Sequence, residues 1–160
     1  MRSLHWGRLF AVALIASASV SMTLAETAAD SSAQNEKIVR EFVAAWSNLD
    51  ADELVSYFAT DGTYYNMPTA PVTGHEDLRA FIGGFLAPWE KTDWEIINLL
   101  ADGDLVMVER MDRTTAAGRY VELPCFGVFE MKNGKIKVWR DYFDLATFTN
   151  AVASSTEADQ

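Results

Sequence analysis

The chain has 160 residues, 49% of them hydrophobic, with five tryptophans and a formal net charge of −10. That length and apolar content suit one folded domain and argue against disorder. The acidic balance argues against nucleic acid, whose phosphates call for clustered Lys and Arg, and against an anionic membrane surface.

The opening segment "MRSLHWGR" carries Arg2 and Arg8 and no acid, and "LFAVALIASASVSMTLA" follows as a small, apolar stretch. This pattern reads as a secretory signal peptide cleaved after Ala25, and it predicts a periplasmic or secreted protein. The serines and Thr23 make the segment weakly apolar for a stable membrane span. Residues 26–34 are expected as a flexible leader, 35–152 as the single domain and 153–160 as a loose acidic tail.

From Asn35 onward, Ile38, Phe42 and Trp46 recur at helical spacing beside Val39 and Val43. Asp50 reads as the N-cap of a short second helix with Glu53 in a capping box, and Leu54, Val55 and Phe58 form its apolar side. Thr63 to Met67 reads as a short strand before Pro68. Thr73 and Glu76 fit another capping box, and the helix they open carries Leu78, Phe81, Ile82, Phe85 and Leu86 until Pro88 stops it. Four strands follow, separated by Asp102-Gly103, Ala117-Gly118 and Asn133-Gly134, the last a strong hairpin signal. Residues 145–152 close the pattern as a short helix. Helices first and strands afterwards predict an α+β fold, a strongly curved antiparallel sheet with the N-terminal helices on its concave face. Such a sheet leaves a blind, mostly apolar pocket.

Cys125 is the single cysteine, so no internal disulfide is possible, and it reads as a small apolar thiol in a strand. Beyond the signal segment His75 is the sole histidine, and neither a metal nor a cofactor is expected.

Side chains alternate along a strand, so Val106, Val108, Arg110 and Asp112 share a face. By the same rule Tyr64 goes with Asn66, and Asp141 with Trp139 and Phe143. Singly, each has an ordinary reading: an Arg–Asp surface pair, a core tyrosine, a turn asparagine. Together they form two carboxylates around one arginine, beside a tyrosine and an asparagine. Two such carboxylates ionise unequally, one serving as acid and the other as base, while Tyr and Asn hold a water.

On "YFATDGTYYNMP", "ERMD" and "GVFEMKNGKIKVWRDYFDL" the chain resembles the limonene-1,2-epoxide hydrolase family. That family sits within the wider SnoaL-like group of curved-sheet folds shared with nuclear transport factor 2 and ketosteroid isomerase. The resemblance implies that Asp141 activates water, that Tyr64 and Asn66 hold that water, that Asp112 protonates the epoxide oxygen, and that Arg110 bridges the two aspartates. It further implies one-step ring opening to a vicinal diol without a cofactor, pocket-wall roles for Phe143 and Leu123, a small apolar epoxide as substrate, and a homodimer. Arg113-Thr114 stands where the resemblance leads one to expect an apolar pair, and Pro124 and Cys125 are expected at the pocket wall. An isomerase on the same scaffold, or a non-catalytic small-molecule-binding module, are the alternatives that the residues leave open.

Overall fold

A computed structural model describes residues 29–153, with the side chains of 152 and 153 left out of the description. The expected signal segment and acidic tail lie outside these residues, apart from the first residue of the tail. A helix, α1, occupies residues 29–45 and runs into a 3-10 turn at Trp46–Asn48. Residues 29–34 are therefore helical, where a flexible leader was expected. The Ser32 hydroxyl accepts from Gly103 N at 2.7 Å, and the Asn35 side chain donates to Gly103 O at 2.9 Å. These bonds fasten the start of α1 to a β-turn, which composition alone does not reveal. Asn35, Val39, Phe42, Val43 and Trp46 are buried, the single face that the helical spacing predicts.

The second helix, α2, is Ala51–Ser56, capped by the Asp50 carboxylate, which accepts from Asp52 N and Glu53 N. The reciprocal half of the capping box is absent, because the Glu53 carboxylate takes a bond from Asn48 instead. The following elements are β1 Phe58–Asn66, β2 Val72–Thr73, α3 His75–Leu86, β3 Trp89–Asp102, β4 Leu105–Ala116, β5 Arg119–Lys132, β6 Lys135–Phe143 and α4 Leu145–Ala153. Two local expectations need correction. Phe58 opens β1 instead of closing α2, and Thr73 does not cap α3. Its hydroxyl pairs with that of Thr63 at 2.8 Å across β1 and β2, and the cap position belongs to Gly74.

The strand order is β2-β1-β6-β5-β4-β3. The α+β class is as expected, but the sheet is mixed: β1 runs parallel to β6, and every other pairing is antiparallel. The register of β1 shifts against β6 between Phe58 and Thr63, and β3 is bulged at two places against β4. Such irregularities bend strands and let a sheet wrap round its helices. Gly62 sits at the β1 irregularity. A Cβ there would lie 2.9 Å from both Ala59 O and Ile136 O, so only glycine lets β1 approach β6 so closely.

One apolar core joins the helices to the inner face of the sheet, with Phe42, Trp46, Leu54, Leu78, Val108 and Trp139 among its fully buried members. A smaller cluster of Val121, Leu123 and Cys125 packs against Phe148 and Ala151 of α4. The opposite sheet face carries Leu100, Phe126 and Tyr142 exposed. Pro124 lines a shallow groove on that face, so of the pair expected at the pocket wall only Cys125 is there. No helix among the described residues is long and apolar enough to cross a membrane.

Candidate active site

Strand register sets the site out in rows. Asp112 faces Trp94 on β3 and Leu123 on β5; Arg110 faces Cys125, which faces Phe143; Gly127 faces Asp141, which faces Asn66; Phe129 faces Trp139, which faces Tyr64. All five residues singled out from alternation lie on this one inner face and are buried. Met67 N donates to Asp141 O at 2.9 Å, and Thr69 donates to Asn66 O through both its amide (2.7 Å) and its hydroxyl (2.9 Å). The end of β1 is thereby held against β6 where Asn66 and Asp141 meet.

Arg110 joins the carboxylates. Its Nε donates to Asp112 Oδ1 at 2.8 Å, and its Nη2 donates to Asp112 Oδ2 at 3.1 Å and to Asp141 Oδ2 at 2.6 Å. The guanidinium lies over the Trp94 ring, 4.4 Å from its centroid, with the Trp139 ring at 5.5 Å. Cation–π attraction offsets part of the cost of removing this charge from water. Trp46 stacks on Trp94 at 4.2 Å, and Tyr64 stacks on Trp139 at 4.1 Å. Gly127 makes the room: a Cβ there would sit 3.0 Å from Arg110 Nη1. Arg110 thus lies behind the site, while Tyr64, Asn66, Asp112 and Asp141 line a cavity of about 180 Å³.

The rest of that cavity is mostly apolar. Leu123 and Phe143 line it, as expected, and so do Phe81, Phe85, Trp89 and Phe148. Trp94, Val121 and Leu145 are further wall residues that the sequence reading did not single out; of Arg113-Thr114, Thr114 is on the wall while Arg113 pairs with Glu95 and Glu122 away from it. The alternation that places Arg110 and Asp112 inward continues to residue 114. The contributions of α3 and α4 depend on packing between distant segments and had no local signal.

Burial shapes the protonation states. It pushes the Asp112 carboxyl up to about 6, with the Asp141 charge adding to the rise and Arg110 opposing it. Burial also raises Asp141, again against Arg110. Tyr64 is pushed well above its ordinary value, first by burial and then by Asp141, so its hydroxyl keeps its proton. Burial raises the Cys125 thiol as well, which keeps it neutral and a poor nucleophile. Two acceptors, Asn66 Oδ1 and Asp141 Oδ1, are buried with no hydrogen-bond partner among the described residues. Among the described residues no three His, Cys, Asp or Glu side chains converge as a metal site. The arrangement can take a proton at Asp141, give one at Asp112, and hold a small polar molecule between Asn66 and Asp141.

The chain is similar in sequence and fold to several known proteins. Epoxide hydrolase EphG of Mycobacterium tuberculosis is 32% identical over 113 residues, which are 67% of this chain and 71% of that protein. The structure of an M. tuberculosis epoxide hydrolase of the limonene-epoxide-hydrolase-like type superposes with a TM-score of 0.66 at 26% identity, covering 76% of this chain and 92% of the other. A protein of ketosteroid-isomerase-like fold from Catenulispora acidiphila gives a TM-score of 0.67 at 24% identity, over 72% of this chain and 92% of its own, a likeness of fold alone. Residues 39–139 match the model of the SnoaL-like domain, and the chain belongs to that family.

Proposed function

We propose that the protein is an epoxide hydrolase, adding water to a compact apolar epoxide in one acid/base step to give a vicinal diol. The observation that carries this reading is the pair of unpartnered buried acceptors, Asn66 Oδ1 and Asp141 Oδ1, on adjacent strands in register. Unpartnered buried oxygens are costly, and a water molecule with two protons to donate matches two acceptors side by side. Donating both protons leaves a water lone pair free to attack carbon, and the Tyr64 hydroxyl is a further group to hold it.

In the step, Asp141 takes a proton from water as the water oxygen bonds to one epoxide carbon. The bond from that carbon to the ring oxygen breaks, and Asp112 gives its proton to that oxygen. The diol carries one hydroxyl from water and one from the ring. Before the step Asp112 is neutral and Asp141 charged; afterwards the two have exchanged states. The charge of the Arg110–Asp112–Asp141 set is the same throughout, so no net charge appears in a low-dielectric site. Arg110 is a positioning residue, fixing both carboxyls through charge-assisted bonds. The similarity to epoxide hydrolases in both sequence and fold supports the same reading.

The test is diol formation from limonene-1,2-epoxide, cyclohexene oxide and styrene oxide, with Asp141→Asn run in parallel. Asn is nearly isosteric and cannot accept the proton, so turnover should fall by roughly 100-fold or more, the contribution of a positioned general base. Equal turnover by the variant would overturn the assignment. Isomerisation of an unsaturated ketone without diol from any epoxide would favour isomerase chemistry instead.

A further inference from the structure

Thr114 lies one step beyond Asp112 on the same inner face of β4, opposite Thr92 on β3 and Val121 on β5. It lines the cavity and is 4% exposed, while Thr92 behind it is 2% exposed and does not reach the cavity. Their hydroxyls are 2.7 Å apart, and the Thr92 hydroxyl donates to Arg113 O at 3.2 Å. A hydroxyl has one proton. The one assignment that makes hydrogen bonds of both contacts has Thr92 donating to that carbonyl and Thr114 donating to Thr92. The Thr114 oxygen then has no proton left and can only accept. Val121 faces it on β5, and Phe85, Trp89 and Phe148 are apolar side chains of the same cavity.

We propose that Thr114 is a specificity-determining acceptor, and that the substrate is an apolar epoxide bearing a hydroxyl that donates to it. Deepening the hydrolase reading, this rests on that use of the same cavity. Two residues along a strand span about 7 Å, which sets the spacing between the epoxide oxygen at Asp112 and the remote hydroxyl. A fixed acceptor on an otherwise apolar wall favours a donor and disfavours a group of similar shape that can only accept. Thr92 acts through Thr114, by fixing the direction of its proton.

Three ligands on one ring skeleton test this: limonene, α-terpineol (which adds a hydroxyl) and the methyl ether of α-terpineol (which can only accept). Trp89 and Trp94 line the cavity, so tryptophan fluorescence reads binding without turnover. The wild type should bind the alcohol about 3- to 10-fold more tightly than its ether, the range of one net hydrogen bond. Thr114→Val should erase that ratio. Thr92→Val should release the Thr114 proton and move the ratio toward the ether. Ratios cancel any loss of folded protein. Equal binding of alcohol and ether by wild type, or a preference that survives Thr114→Val, overturns the proposal. The epoxides of limonene and α-terpineol are assayed alongside. A Thr114-dependent preference with no diol from either would leave this assignment standing and remove the hydrolase reading. Diol from both without the preference would do the reverse.

Discussion

Gly127→Ala isolates the geometry of the bridging arginine without altering any ionisable group. The added Cβ would lie 3.0 Å from Arg110 Nη1, 3.0 Å from Phe129 Cε2 and 3.1 Å from Trp139 Nε1. Comfortable contact is about 3.5 Å or more, so each neighbour must yield by roughly 0.5 Å. All three are fully buried or nearly so, and none can swing into solvent. A shift of that size along the donor direction would carry the 3.1 Å bond from Nη2 to Asp112 beyond the usual limit for N–H···O. Overpacking of this kind costs about 1–3 kcal/mol, and the lower chain entropy of alanine returns roughly 0.5–1 kcal/mol. A net loss of about 1–2 kcal/mol lowers the urea midpoint by about 0.5–1 M at unchanged m-value. Displaced carboxyls should slow diol formation by about 10-fold, since misplacement by 1 Å can cost some 100-fold. Gly84→Ala is the control, because a Cβ there meets nothing within 4 Å and the helix gains stability. Wild-type midpoint and rate in Gly127→Ala would refute the packing argument.

Other outcomes follow from the same charges. Arg110→Met leaves two buried carboxylates without their cation and should cost about 3–5 kcal/mol near neutral pH, with a smaller loss in acid as the carboxyls protonate; denaturation at several pH values measures both. The proposed step needs Asp141 charged and Asp112 neutral, so kcat/KM should trace a bell whose limbs belong to the coupled pair, with activity falling above about pH 6. The raised Asp112 value also has a stability sign. A carboxyl that binds its proton more tightly folded than unfolded stabilises the fold at low pH, and that stability is lost as pH rises from about 4 through about 6. Asp112→Asn should remove this pH-dependent loss, as thermal unfolding across the window would show.

Much of the site was legible because strand alternation is strict. Arg110 and Asp112 followed two valines on one face, Asp141 lay two residues from Trp139, and the structure buries all of them together. Pro124 and Cys125 could not both face the cavity under the same rule, and only Cys125 does. Phe58 was misread because it falls four residues after Leu54, a helical spacing, while its actual partner is Ile136, far along the chain. The parallel pairing of β1 with β6 was hidden for the same reason: it depends on contacts between distant segments, which leave no local period. Gly127 carried no signal in the sequence, because its use depends on the guanidinium packed beside it. The helical state of residues 29–34 was masked by a composition of Ala, Ser, Asp and Gln that is equally common in leaders.

The parallel seam between β1 and β6 has a consequence for the order of events during synthesis. Asn66 emerges roughly 75 residues before the Asp141 it must face, and closing so long a loop is slow compared with forming hairpins. The β3–β4–β5 meander can assemble as it appears, bringing Arg110 and Asp112 into place early. Asp141 and Asn66 come together only when β6 enters between β5 and β1. Until β6 joins, Arg110 has only one of its two carboxylate partners, Asp112. Arrival of β6 completes both the ion set and the pair of buried acceptors, so closing the sheet and assembling the candidate site are one event.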